Sequence, residues 1–408
     1  VTPTSLLDNN ADTARTDSPL QHWLKAHRSR SSLFCSPTIA LMAHGQALQC
    51  QASNANNDLD AHATQLLAQA HEQGLPALLM GVIPFNTTQP AHLFVPHSVL
   101  RSAPILPSHT ATTAQPHPDA TLQPFPDGAG YADTVQRALP LLDANPISKI
   151  VLARTMDVQL AQPLQRQHLL HNLIRLNPHG YNFGINLADE EGDNPCFFGA
   201  SPELLVRRSG SEVSVNPLAG TAARVADPEA DARIGQTLLQ SAKDLHEHAI
   251  VVESVVQALR PFCSELHVPD GPELAKTATL WHLSTPIHGT LRAPYASSLQ
   301  LALAMHPTPA VCGTPTLAAR DVIETLEPFE RQFYAGAAGW CDDKGDGEWA
   351  VAIRCGLYQQ QQIRLYAGAG IVAASDPASE RRETGNKLRT MLNALNIEPA
   401  TIEGAITL

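Results

Sequence analysis

No apolar stretch of the 408-residue chain reaches the roughly 18 residues needed to cross a bilayer, which excludes a long spanning helix. The first 30 residues contain Asp, Asn and Arg without an apolar signal core, so no secretory leader is expected there. Cysteine is sparse and odd in number: Cys35, Cys50, Cys196, Cys263, Cys312, Cys341 and Cys355 are scattered, with no Cys-x-x-Cys pair. That spacing excludes a zinc ribbon or a disulfide framework and reads as reduced, small buried thiols in a cytoplasmic protein. Charged residues make up 16% and their balance is acidic, a formal net charge of −12. A general nucleic-acid binder is excluded on that ground; a local basic pocket is not. There is no internal repeat, no Walker motif and no Gly-x-Gly-x-x-Gly following a strand.

What is present suits one large or two ordinary globular domains, with 43% hydrophobic residues to build a core. Residues 1 to about 30 are polar. Short strands are predicted from Ser32 to Val99, among them the buried run Leu78–Pro84, with one helix over Ala61–Glu72. Arg101 to Gly130, rich in Pro, His, Thr and Ala, reads as a long loop whose His109 and His117 face solvent. Beyond it, helices are predicted over Tyr131–Leu142, Leu169–Leu176, a long Glu229–Arg260 and Ser379–Leu395. Strands are predicted over Lys149–Arg154, Tyr181–Leu187, Cys196–Ala200, Leu204–Arg208, Trp281–Ser284, Gly336–Asp342, Trp349–Cys355 and Gln362–Ala369. The two element types do not alternate strictly, so the expected class is α+β with large, mostly antiparallel sheets.

Two helical stretches carry paired carboxylates. Asp244 and Glu247 lie one turn apart, on a helix whose apolar positions Leu245, Ala249, Val252, Val255, Val256 and Leu259 recur near the helical period. Glu380, Glu383 and Lys387 fall at i, i+3 and i+7 just after the Gly-broken run Ala367-Gly-Ala-Gly370. Magnesium takes a few protein carboxylates and keeps water or substrate oxygens in its other positions, so two such pairs can make one open site. His246 and His248 do not suit zinc: at i, i+2 they point about 200° apart on a helix, and they read as helix-surface residues.

Several segments join these into one pattern. They are Ser148-Lys149-Ile-Val-Leu-Ala-Arg154, Phe198-Gly-Ala-Ser-Pro-Glu203, Asn216-Pro-Leu-Ala219-Gly220-Thr221, Lys243-Asp244-Leu-His-Glu247 and Trp281-His282-Leu-Ser284. His306-Pro-Thr-Pro-Ala310-Val311-Cys-Gly313, Glu330-Arg-Gln-Phe-Tyr334-Ala-Gly336 and the Gly-Ala-Gly segment follow in order. In this order the set closely resembles the chorismate-utilising enzymes, which include isochorismate, salicylate, anthranilate and aminodeoxychorismate synthases. The matching motifs run from about 130 to 395 of a domain taken as 31–408.

The resemblance implies a single large domain of two mostly antiparallel sheets flanked by helices, with chorismate as substrate and Mg2+ as cofactor. It implies direct metal ligation by Glu247 and Glu383, with Asp244 and Glu380 acting through water; Asp244 is shorter than the glutamate of some relatives. Tyr334 and a strand-borne Arg354 are expected to grip the enolpyruvyl carboxylate, the planar Arg fork suiting that group. Lys387 is implied to neutralise the ring carboxylate. Gly368 and Gly370 offer backbone amides where a side chain would clash. Gly220, Thr221, His282, Ala310 and Val311 are implied to line the pocket.

Within the family, Lys149 holds the water-activating position and Glu203, in an apolar setting, can stay protonated as the acid. Ala219 replaces the nucleophilic lysine of common aminodeoxychorismate synthases, and His306–Gly313 is similar to the isochorismate synthases. The expected activity is therefore isomerisation of chorismate to isochorismate, by water addition at C2 with loss of the C4 hydroxyl. Salicylate synthase is the nearest alternative and anthranilate synthase component I a remoter one. A monomer is expected, with no obligatory glutaminase subunit and no nucleic-acid or membrane partner.

Overall fold

The computed structural model describes residues 29–105, 117, 119–144, 147–190 and 192–407. The polar segment assigned to residues 1 to about 30 lies almost wholly outside the described residues, as does His109.

A ten-stranded sheet runs from Gly313–Thr314 through Lys149–Gln159, Gln362–Ile371, Cys355–Gln359, Cys196–Ser201, Tyr181–Asn186, Ser31–Cys35 and Ala40–His44 to Ser98–Ser102, with Thr121–Phe125 added along Lys149–Gln159. A nine-stranded sheet has the order Cys263–His267, Ile287–Leu291, Glu212–Asn216, Leu204–Ser209, Gly347–Val351, Ala337–Asp342, Leu78–Ile83, His92–Val95, Leu48–Cys50. Every pairing described in both sheets is antiparallel, as expected.

Alternation along the strands explains how the layers stack, because successive side chains leave opposite faces. Phe34, Phe183 and Phe197 of the first sheet meet Leu79, Phe94, Val206 and Trp349 of the second in one core. Their neighbours Leu33 and Phe198, with Met156 and Leu365, pack instead against the helices Arg166–Leu176 and Pro377–Ala394. Full burial of such side chains contributes roughly 1.5–3 kcal/mol each. The first sheet is thus buried on both faces over the site.

Several expectations need correction. The predicted helix Glu229–Arg260 is two helices, Pro228–Gln240 and Ala242–Leu259. Ser241 between them is extended and its hydroxyl accepts from the Asp244 amide, a serine N-cap that starts a new helix. The second helix also turns a different face inward: Glu247, His248 and Val251 are buried with Val255 and Leu259, while Leu245 and Val252 are only partly covered. His248 is accordingly no surface residue; its Nε2 is 2.7 Å from Thr285 Oγ1. The long loop contains an edge strand, Thr121–Phe125, paired from Thr121↔Gln159 to Phe125↔Thr155. Pro124 is tolerated there because an edge strand has one unpaired side.

Arg354 is not on a strand. It lies in the link between Gly347–Val351 and Cys355–Gln359, with φ of 49°. A third sheet of Leu218–Ala223, Leu280–Ser284 and Glu273–Lys276 also stands beside the two large ones.

Candidate active site

Two crossings between the large sheets build the centre of the site. Cys196–Ser201 belongs to the first sheet and Leu204–Ser209 to the second; Pro202 and Glu203 connect them. Gly347–Val351 returns the path, from the second sheet to Cys355–Gln359 of the first, through Arg354. The crossings are tied to each other: Val351 N donates to Glu203 O at 3.1 Å, and Ala200 N to Arg354 O at 3.0 Å. Both side chains are buried, Glu203 3% and Arg354 4% exposed. The left-handed backbone at Arg354 is costly for a residue with a Cβ and marks a conformation the surroundings impose.

Between the crossings lies a cavity of about 630 Å³, measured to its mouth. Of the residues singled out by sequence, Glu203, Gly220, Thr221, Glu247, His282, Ala310, Val311, Tyr334, Arg354, Gly368, Gly370, Glu383 and Lys387 line it. Lys149, Asp244 and Glu380 do not. Lys149 Nζ, fully buried, is 2.8 Å from Glu247 Oε1. Asp244 accepts from the Ser241 hydroxyl, and its Cβ would lie 3.0 Å from a Cβ on Gly220. Glu380 pairs with Lys243 at 3.0 Å.

The four carboxylates feel one another and are held by cations. Burial, and further the negative charge of Glu247 and Glu383, raise the Asp244 carboxyl, against the hydrogen bond from Ser241. Burial and the neighbouring Glu383 raise Glu380 against the pull of Lys243. For Glu247 burial acts upward too, but Lys149, with Lys387 and Lys243, holds it below its ordinary value. Glu383 accepts from Lys387 at 2.6 Å, and Lys387 also donates to Gly368 O at 2.8 Å. Among the described residues no three acidic, His or Cys groups form a ready-made metal cage. Hard oxygen donors that repel one another beside an open cavity fit magnesium, which needs few protein ligands.

Glu203 has the opposite environment. Its burial pushes the carboxyl up to about 8, outweighing the Leu218 backbone hydrogen bond and the charges of Lys149, Lys387 and Arg354. At neutral pH it is an acid with a proton to give. Burial lowers Arg354 to about 10, still cationic. His282 is driven well below its usual value by burial, then by Arg354 and Lys387, and is neutral; its Nδ1 is 3.2 Å from Thr221 Oγ1 and its Nε2 3.4 Å from Arg354 Nη2.

Gly370 and Gly368 are packed closely by neighbouring side chains. A Cβ on Gly370 would lie 2.2 Å from Glu247 Oε1, and one on Gly368 2.6 Å from the Tyr334 hydroxyl oxygen.

Sequence reasoning missed part of the wall. Tyr366 lines the cavity and stacks on Tyr334, centroids 5.1 Å apart and rings 7° from parallel. It shares a strand with Gly368 and Gly370 at i, i+2 and i+4, so the strand period could have found it. Val151 stands likewise two residues after Lys149.

The buried pair Glu327–Arg331 was also missed. Arg331 Nη2 is 2.5 Å from Glu327 Oε1 and donates to Val151 O at 2.7 Å, while Nη1 donates to Val311 O at 2.8 Å. Glu327 Oε1 accepts from Ala153 N. One ion pair thereby fixes two wall residues, Val151 and Val311, without touching the cavity. Only its i, i+4 spacing was visible in sequence.

The chain is similar throughout to proteins that act on or bind chorismate. The chorismate binding enzyme family matches residues 100–396. Isochorismate synthase DhbC of Bacillus subtilis (strain 168) is 42% identical over 399 residues, 96% of this chain and 100% of that protein. Isochorismate synthase EntC of Escherichia coli (strain K12) is 42% identical over 336 residues, 81% of this chain and 85% of that one. The crystal structure of DhbC from Bacillus anthracis superimposes with a TM-score of 0.87 at 41% identity, covering 93% of this chain and 100% of that one.

Proposed function

The chain belongs to the family of chorismate-binding enzymes, and from that premise we propose that it is an isochorismate synthase, an isomerase converting chorismate to isochorismate. One water adds at C2, the ring double bonds shift, and the C4 hydroxyl departs as water, so composition is unchanged. The observation that carries this reading is a buried acid with a proton to give, Glu203, in the cavity wall, and a fully buried lysine, Lys149, held behind that wall on Glu247.

Glu203 protonates the departing C4 hydroxyl, and the low polarity that keeps it protonated also favours that transfer. Lys149, as the neutral amine formed when its ammonium gives up a proton, takes the proton from the incoming water. Its contact with Glu247, a residue of the cavity wall, holds Nζ in place. Arg354 presents a guanidinium to the enolpyruvyl carboxylate beside Tyr334, with neutral His282 bracing Nη2 from behind. Lys387 stays anchored by Glu383 and Gly368 O and faces the ring carboxylate. Glu247 and Glu383 would hold Mg2+ directly, with Asp244 and Glu380 acting through water. When bound, the ion supplies positive charge against the ring carboxylate and the departing hydroxyl.

No described helix is long and apolar enough to cross a membrane.

The test is incubation with chorismate, with and without magnesium and without ammonia, products being resolved by chromatography. Isochorismate alone, formed only with magnesium, is the expected result. Salicylate with pyruvate would assign the salicylate synthase activity instead, and absence of any product would overturn the reading.

A further inference from the structure

A second chamber of about 1100 Å³, mouth included, lies beside the catalytic cavity and takes no part in the chemistry above. The two spaces share four walls: Pro202, Leu218, His282 and Arg354. Burial is graded along the chamber. His179, Lys276 and Ala278 at its outer end are exposed, whereas Ser201, Leu218, His282 and Arg354 at its inner end are buried. None of the residues lining the catalytic cavity is exposed.

Charge distinguishes the two approaches to that cavity. On the metal side stand Asp244, Glu247, Glu380 and Glu383, the last three paired with Lys149, Lys243 and Lys387. The chamber is lined by no Asp or Glu at all, in a chain with 39 acidic and 27 basic residues. Its cations are Arg224, Lys276 and Arg354. Arg224 is neutralised by Asp231, at 3.0 Å from Nε and 2.9 Å from Nη2. Lys276 has no ion-pair partner among the described residues; its Nζ lies 5.9 Å from the Trp281 ring centroid. A dianion entering by the chamber meets Lys276 at the rim and Arg354 at the inner wall. A carboxylate-free, low-polarity passage concentrates anions in this way.

We infer that this chamber is the entrance to the catalytic cavity for small dicarboxylates, with Lys276 as the residue that draws them in and Arg354 as the one that receives them. The inference rests on the substrate class of the proposed function and adds the route to it.

Steady-state kinetics with chorismate test it, using Ala278→Trp to narrow the rim and Lys276→Glu to reverse its charge. Both positions are exposed, so the fold tolerates the changes. Ala278→Trp is expected to lower kcat/KM by about tenfold or more. Lys276→Glu should lower it by roughly three- to tenfold at low ionic strength, the loss fading at about 0.5 M salt, while Lys276→Arg stays at the parent value. An unchanged kcat/KM in both Ala278→Trp and Lys276→Glu overturns the entrance. So does a Lys276→Glu defect that salt leaves untouched or that Lys276→Arg shares. Failure of the parent protein to turn over chorismate overturns the proposed function, and the entrance with it.

Discussion

At the scale of single residues, environment decides which carboxylates are charged. Glu203 and Glu247 are both buried, yet burial with no contacting cation raises the first to about 8 while Lys149 in contact keeps the second ionised. Glu203 is therefore protonated below about pH 8 and loses its proton as pH rises through that value. Activity that needs the protonated form is expected to fall about tenfold per pH unit on the alkaline side, on a plot of kcat/KM against pH. Glu203→Gln should lose about 10²- to 10⁴-fold in kcat and lose that limb as well. Lys149→Ala should likewise lose turnover while chorismate still binds, as calorimetry can show. Near-parental turnover in either variant would remove that residue from the chemistry. Both assignments were legible in sequence because the motif carries the side chain. Protonation was only partly so, because the apolar Pro-Glu-Leu-Leu setting hints at burial without measuring it.

Elements explain what sequence left hidden. The strand Gln362–Ile371, the helix Pro377–Ala394 and the cavity-facing glycines were readable because small residues and helical spacing leave local marks. The break at Ser241 had a mark too, a serine three residues before an acid, but the apolar period ran through it. Arg354 was misread as strand because its left-handed φ arises from the sheet-to-sheet crossing, a non-local constraint.

The pair Glu327–Arg331 is the clearest case of tertiary information. It joins the end of the helix Thr316–Leu326 to the strand Lys149–Gln159 and to Val311 through buried hydrogen bonds. Arg331→Met would strand a buried carboxylate and is expected to cost about 3–5 kcal/mol in urea unfolding. Adding Glu327→Gln should recover part of it. A loss below about 1 kcal/mol would show that the pair is not the fastening described.

For the whole molecule, the α+β class and the antiparallel sheets followed from composition and element order, whereas the third sheet and the strand order could not, since pairing partners lie far apart in sequence. Burial of the thiols was also anticipated. Six of the seven cysteines are buried and only Cys50 is half-buried. Burial raises Cys196, Cys312 and Cys341 to about 11, which suppresses the reactive thiolate. A colorimetric thiol reagent should therefore modify at most one cysteine quickly in the native protein and all seven after denaturation. Several fast-reacting thiols in the native state would contradict this packing.

The two adjacent crossings at Glu203 and Arg354 have one more consequence. Acid and carboxylate grip are stitched across the same seam, and the remaining site residues come from positions as far apart as Lys149 and Lys387. A chain cut between the two crossings should regain turnover only when its fragments reassemble both sheets, so the enzyme's own catalysis can report on its assembly.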